Sequence, residues 1–437
     1  MLNKIWGSFF FIGFGAALIQ WLFLGRPEVW QEMVASTFDM SRTGFEISLG
    51  LTGVMCLWLG IMEIGQRGGA VDLVARAFRP LLSRLFRGVP PDHPAMGSMV
   101  MNMGANMLGL DNAATPLGLK AMRELQTLNP SEGETAGGGD VDAAGASSAG
   151  GDEDRKAFGS QTASDAQILF LVLNTSAVTV IPSTIFVYRA QMGAVDPTDV
   201  FVPILVATFC STMVGLLATS FVQKIRLWEP VVLAYLGAMT AFIAFVVMYF
   251  SSLEREQLEA QSALISNLVI FSLIIGIFGL AAARRVPLYE AFVDGAKGGF
   301  QVAITIIPYL IAMLVAIGVL RSSGALDFVL DGARSAVAGM GMDTRFVEGL
   351  PTAIMRPLSG GGARGLALET METMGADSFA GRLVSILQGS TETTFYVLAV
   401  YFGSVGIKRT RHALPCGLMA DAAGILAAIG VCYLFFG

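Results

Sequence analysis

The chain has 437 residues, of which 54% are hydrophobic and only 14% charged, with a mean hydropathy of +0.64 and two histidines. Soluble domains carry about 25% charged residues, so this composition excludes an ordinary water-soluble enzyme and implies an all-α integral membrane protein. With a formal net charge of −6, nucleic acid is not an expected partner.

Apolar runs able to cross a hydrocarbon core of ~30 Å need about 20 residues each. They lie near 5–25, 46–64, 166–188, 200–222, 229–251, 263–283, 300–320, 383–405 and 413–436, which predicts about nine full spans. The first follows Lys4 and continues through Ile19, Gln20 and Trp21 instead of a small-residue cleavage site, so it reads as an uncleaved anchor. Basic residues of short loops face the cytoplasm. A cytoplasmic N-terminus in a bacterial inner membrane places Lys224 and Arg226, Arg284 and Arg285, and Lys408, Arg409 and Arg411 inside, together with Arg67, Arg76, Arg79, Arg84 and Arg87.

The chain repeats itself at a distance of about 255 residues. Asp39, Arg42, Gly44 and Phe45 recur as Asp294, Lys297, Gly299 and Phe300, and Gly69–Asp72 returns as Gly324–Asp327. Further on, Asn174, Ser176 and Thr179 match Gln388, Ser390 and Thr393, and Pro203 matches Pro415. Order kept across four segments marks a duplication. The first repeat spans 1–223, a linking transmembrane helix 224–262 and the second repeat 263–437. An odd number of crossings separates equivalent positions, so the second copy runs inverted. Charge agrees: Gly65–Leu125 holds seven Lys/Arg against four Asp/Glu, whereas its counterpart Arg321–Arg382 holds six against seven. Inverted repeats related by an in-plane two-fold axis recur in secondary transporters, with substrate held near the midplane where they meet.

Shorter segments lie between the spans. Ala70–Phe86 sets Val71, Val74, Phe78, Leu82 and Phe86 near helical spacing with arginines opposite, which suits a helix along the cytoplasmic interface or a packed connector, and Gly324–Ala338 is its counterpart. Ala95–Met122 brings Asn102, Asn106, Asp111, Asn112 and Thr115 to membrane depth, where polar groups are costly unless they face protein, water or ligand. A turn from Asp111 to Pro116, a proline that cannot continue a hydrogen-bonded helix, predicts a re-entrant hairpin whose tip offers half-helix ends to an ion or anion. The segment from Asn129 to roughly Ala163 belongs to the first copy alone; its Gly, Ala, Ser, Asp and Glu content predicts a disordered acidic cytoplasmic loop.

The second copy holds different chemistry at the equivalent place. Pro351–Leu366 contains Arg356, Ser359, the triplet Gly360–Gly362 with Gly361 at its centre, and Arg364. Glycines let a backbone approach a ligand and arginines fit planar anions, so this segment reads either as an anion contact or as a glycine hinge whose arginines pair with Glu348 or Glu369. No Gly-Lys-Ser/Thr follows, so it is not a P-loop. Leu173–Pro182 and Leu387–Thr394 each place an amide before clustered hydroxyls: Asn174 and Ser176 in one, Gln388, Ser390, Thr391 and Thr393 in the other. Glu392 is the carboxylate of its run and reads as a proton or cation relay or as the partner of Arg356 or Arg364. The 22 methionines, Cys56, Cys210, Cys416 and Cys432 read as packing, and His93 and His412 are too few for a metal site. No motif for hydrolysis stands out, so neither an enzyme nor a cofactor is expected.

Two long strings now carry a resemblance. NMGANMLGLDNAATPLGLKAMRELQTLNP, from Asn102, is similar to the signature of the spore maturation protein A family. PTAIMRPLSGGGARG, from Pro351, and ILQGSTETTFYVLAVYFGSVGIKRTRHALPCGL, from Ile386, are similar to that of spore maturation protein B. The chain resembles the two families fused over nearly its full length. That implies membership of the nucleoside-recognition or Gate group, shared with concentrative nucleoside transporters and the membrane part of the ferrous-iron transporter, and a link to spore core dehydration.

The expectation is therefore a secondary transporter with two inverted repeats, each holding a re-entrant hairpin. Asn102, Asn106, Asn112, Thr115, Asn174 and Ser176 would face Arg356, Ser359, Gly361, Arg364, Gln388, Ser390, Thr391 and Thr393 around a small polar solute, anionic or nucleoside-like. Asp111 or Glu392 would couple to a proton or sodium ion. The expected partners are the solute, the lipid bilayer and that ion, and a homo-oligomer is compatible with the fold. The alternatives are a non-transporting scaffold of envelope maturation and a divalent-metal permease.

Overall fold

The computed structural model describes residues 2–108, 111–129 and 161–437. The helices are α1 (Leu2–Leu24), α2 (Val29–Arg67), α3 (Ala70–Leu85), α4 (Pro94–Met107), α5 (Asp111–Gln126), α6 (Asp165–Thr175), α7 (Ser183–Gln191), α8 (Phe201–Gln223) and α9 (Pro230–Ser251). They continue as α10 (Arg255–Ala283), α11 (Leu288–Ser322), α12 (Ala325–Gly339), α13 (Leu350–Leu358), α14 (Gly360–Met374), α15 (Phe379–Ser390), α16 (Thr394–Gly403) and α17 (Ala413–Phe436). A 3-10 turn, Arg345–Gly349, precedes α13, and no strand occurs among the described residues. The protein is an all-α membrane protein.

Six helices are long and apolar enough to cross a bilayer, and a seventh span arises if Leu310–Ser322 and Ala325–Gly339, bent by 68°, are taken together. The nine apolar runs are thus not nine unbroken helices. The run 166–188 divides into α6 and α7, and 383–405 into α15 and α16. The acidic segment expected to be disordered lies, from 130 to 160, outside the described residues.

From α2 to α8 and from α11 to α17 the chain passes through the same series: a long helix, a short helix, a two-helix hairpin, a divided helix and a closing helix. Gly69 and Gly324 open the two short helices, both at positive φ, +74° and +69°, a left-handed geometry that costs glycine little. The long helices α2 and α11 pack antiparallel through small residues. Gly44 meets Ile311, and Gly299 lies so close to Cys56 that a β-carbon on it would sit 2.6 Å from the Cys56 amide nitrogen. The offset of about 255 residues that relates Gly44 to Gly299 also relates Cys56 to Ile311, so it turns one contact into the other. The closing helices α8 and α17 cross through Ser211, whose Oγ donates to the Ala420 carbonyl at 2.9 Å, with Gly215 against Ala420 and Gly424 against Ser211. Small residues at such crossings bring backbones together where lipid supplies no hydrophobic drive.

Ion pairs mark the two ends of the molecule. At one end Arg67 meets Asp294 (3.0 Å), Arg284 meets Asp72 (3.6 Å), Arg411 meets Asp165 (2.8 Å) and Arg87 pairs with Glu229. At the other, fully buried Arg189 lies 2.8 Å from Asp199 and 3.0 Å from Asp377, and Arg382 holds Asp199 at 2.8 Å. The outer faces of α8, α9 and α10 present Phe221, Phe242, Phe245 and Phe271, which water would not tolerate and lipid would cover. The polar centre lies inward, where the two divided helices face the hairpins.

Candidate functional site

Local chemistry divides α6 from α7. Ser164 opens α6 with a capping box, and at its end Thr175 and Ser176 donate their hydroxyls back to the Val172 carbonyl at 2.9 and 2.8 Å. Such bonds compete with the helix ladder, and Pro182, which has no N–H, precedes the restart at Ser183. In the second copy Ser390 donates to Leu387 O at 2.9 Å, Thr391 and Thr393 are extended, and α16 restarts at Thr394. Each break exposes carbonyls of one half-helix and amides of the next. The breaks touch: the Glu392 amide donates to the Thr175 carbonyl at 2.8 Å.

The hairpins α4/α5 and α13/α14 close on these breaks. Asn106 Nδ2 donates to Asn174 Oδ1 at 2.8 Å, and the same oxygen accepts from Tyr401 OH at 3.3 Å. Val180 N donates to Met107 O at 2.8 Å, fastening the first break to the end of α4. Asn102, fully buried, donates to Ala114 O at 2.8 Å and so ties the hairpin to itself. In the second hairpin Ser359 Oγ accepts from the Gly362 amide at 3.0 Å and caps α14. Arg356 donates Nε to the Thr391 carbonyl at 2.8 Å and stands 3.6 Å from the Glu392 carboxylate. The guanidinium of Arg364 lies 5.3 Å from the centre of the Tyr188 ring, and its Nε has no hydrogen-bond partner.

Between the breaks and the hairpins lies a cavity of about 100 Å³, lined by Asn106, Arg356, Arg364, Gln388 and Glu392 together with the first break from Thr179 to Ile185. Larger clefts lie beside Arg76 and Arg79, about 680 Å³, and among apolar side chains of α8, α9 and α10, about 590 Å³. Neither is lined by a buried polar atom left without a partner, whereas this cavity meets two such atoms, Arg364 Nε and Gln388 Oε1.

Five of the residues singled out in the sequence thus share one cavity. Asn174 stands behind it as the anchor of Asn106, and Asn102 serves the hairpin. Ser176 and Ser390 spend their hydroxyls on their own helices, Ser359 is a cap, and Gly361 is exposed in the first turn of α14. Thr115 is half-buried on α5, and Thr391 and Thr393 are buried in the second break. The side chains of Asp111 and Asn112 lie outside the described residues.

Three expectations need correction. Pro116 lies inside α5 and does not end a turn; the chain reverses before Asp111, and the helix simply forgoes one hydrogen bond. The glycine triplet is no open loop, because the Ser359 cap winds it into the first turn of α14. Arg356 and Arg364 pair with neither Glu348 nor Glu369: those carboxylates are taken by Arg334 and by Arg321, the latter at 2.6 Å. Sequence reasoning also passed over Tyr188, Tyr401 and Asp421. Of these Asp421 was legible, as the lone carboxylate inside the apolar helix Ala413–Phe436.

Residues 48–195 and 303–408 match the Gate family model, described as nucleoside recognition. Spore maturation protein B of Bacillus subtilis (strain 168) is 49% identical over 165 residues, 38% of this chain and 91% of that protein. Spore maturation protein A of the same organism is 35% identical over 211 residues, 48% of this chain and 90% of that protein. The two relatives cover the chain in two parts, as a fusion of A-like and B-like halves would. No solved structure matches the chain.

Proposed function

We propose that this chain, which belongs to the Gate family of nucleoside-recognition membrane proteins, transports a small anionic solute held between its two helix breaks. The observation that carries this reading is Arg364: a guanidinium at the cavity that stands over an aromatic ring and whose buried Nε has no hydrogen-bond partner among the described residues. Arginine is the residue suited to a planar carboxylate or a phosphate, and a buried donor without an acceptor costs about 1–3 kcal/mol until a ligand accepts it. Gln388 and Asn106 add neutral polar groups, and the first break lines the cavity from Thr179 to Ile185. Asp111 and Glu392 remain candidates for ion coupling.

Size narrows the solute. Sites for drug-sized ligands enclose about 300–1,000 Å³. A cavity of about 100 Å³ suits a small carboxylate or phosphate better than a nucleoside in this conformation. An inverted repeat would support alternating access around a site near the middle of the bundle. A second reading, a scaffold that keeps a transporter fold, is favoured by the way the breaks satisfy each other through Glu392 and Thr175.

Thermal melting of detergent-purified protein against small mono- and dicarboxylates, phosphate esters and nucleosides tests this. A ligand at 100 times its dissociation constant adds about 2.7 kcal/mol to the folded state. Anions are expected to raise the Tm of the parent and not of Arg364→Gln. Nucleosides acting equally on both proteins would overturn the anion reading, and no response to any compound would favour the scaffold.

A further inference from the structure

Asp421 stands apart from the solute cavity, on the face of α17 turned to the second break. It is 1% exposed, and neither carboxylate oxygen has a hydrogen-bond partner among the described residues. Thr391 and Thr394, 3% and 0% exposed, lie close enough to act on its carboxyl group, yet both hydroxyls are themselves without a partner. The approach is built into α17. Gly417 and Gly424, one turn to either side of Asp421 on the same face, let the break come near: a β-carbon on Gly424 would sit 2.6 Å from Thr391 Cγ2, and one on Gly417 3.5 Å from Thr394 Oγ1. The charged groups near this carboxylate are Arg356, already spent on Thr391 O and Glu392, and Glu392 itself.

An isolated carboxylate inside a membrane protein is expensive unless something neutralises it. Three unpartnered oxygen-bearing side chains converge here, beside the carbonyl end of a divided helix, and oxygen donors alone suit a hard cation or a proton. We infer that Asp421, with Thr391 and Thr394, forms a binding site for a monovalent cation, either an alkali-metal ion or a proton. Glu392 is a poorer place for it, because its side chain is 52% exposed and faces Arg356. A role in coupling rests on the transporter reading; the site itself does not.

The test needs no solute. Melting of the purified full chain is followed as sodium or potassium replaces choline at constant ionic strength and pH 8, and separately as pH falls without alkali ions. The parent gains stability with one of these cations, while Asp421→Asn, which removes the charge and keeps the shape, shows no alkali dependence and a smaller pH dependence than the parent. The double variant Thr391→Val/Thr394→Val identifies the ion and guards against an Asp421→Asn protein that does not fold. Loss of two oxygen ligands raises the half-saturating alkali concentration by about tenfold or more. A proton site shows no alkali response and instead a shifted midpoint of the pH response in the double variant, since the two hydroxyls stand beside the carboxyl group that holds the proton. A parent that responds to no cation, a response kept by Asp421→Asn, or an unmoved midpoint in the double variant would overturn the site. Cation binding at Asp421 without any solute effect would leave the site standing and count against transport.

Discussion

At the residue scale, the polar side chains near the centre do two kinds of work, separated by whether their hydrogen-bonding capacity is used. Asn174 is fully used: it donates to Phe170 O at 2.8 Å and accepts from Asn106 and Tyr401. It joins the first hairpin, its own half-helix and α16. Asn106, half-buried at the cavity wall, contributes one of those bonds. Asn174→Ala should therefore destabilise by about 1–3 kcal/mol because it strands several buried partners, and Asn106→Ala by less. Melting of both variants in one detergent checks the order, and equal losses would show that Asn174 is not the anchor. Arg364, Gln388 and Asp421, by contrast, keep buried atoms without a partner among the described residues, and these are the groups on which ligand and ion binding are proposed.

At the element scale, division of a helix and close packing of helices are decided by different residues. Hydroxyls followed by a proline or an extended threonine divide α6 from α7 and α15 from α16. Glycines bring α2 against α11. Gly298 and Gly299 are neighbours in sequence, but a β-carbon on Gly298 meets nothing within 4 Å, while one on Gly299 meets the Cys56 backbone. Gly299→Val should cost about 1–3 kcal/mol by forcing the helices apart. Gly298→Ala should be neutral or stabilising by up to about 1 kcal/mol, since alanine is the better helix former. A Gly299→Val protein that melts with the parent would mean that α2 and α11 do not pack as described. The apolar runs at 166–188 and 383–405 read as continuous spans because hydropathy averages over a window: the first break, from Ser176 to Pro182, is itself largely apolar, and the second, from Thr391 to Thr393, is short. The amide-then-hydroxyl pattern in both runs did mark the places.

At the scale of the whole molecule, the ends differ in charge. Arg67, Arg87, Arg284 and Arg411 gather at one end through partners distant in sequence, while the Arg189–Asp199–Asp377 cluster closes the other. By the positive-inside rule, the expectation from the basic residues of the short loops is that the first end faces the cytoplasm. In a background lacking the four native cysteines, Thr410→Cys should resist a membrane-impermeant thiol reagent in intact cells, and Ser378→Cys should react. The reverse pattern would invert the orientation.

The sequence by itself determined the solvent, the helical class, the resemblance of the chain to two families in two parts and the stretches in which the polar residues cluster. Those properties reside in composition and in spacing along the chain, which need no partner to be read. Only the tertiary structure decided which clustered groups are spent and which are free. Asn102 and Ser359 turned out to serve their own hairpins, Glu348 and Glu369 to belong to Arg334 and Arg321, and Asp421 to face an unused pair of hydroxyls. The reason is physical. A buried polar group is satisfied or left wanting by atoms that the fold brings within about 3 Å, and those atoms come from segments hundreds of residues away in the chain.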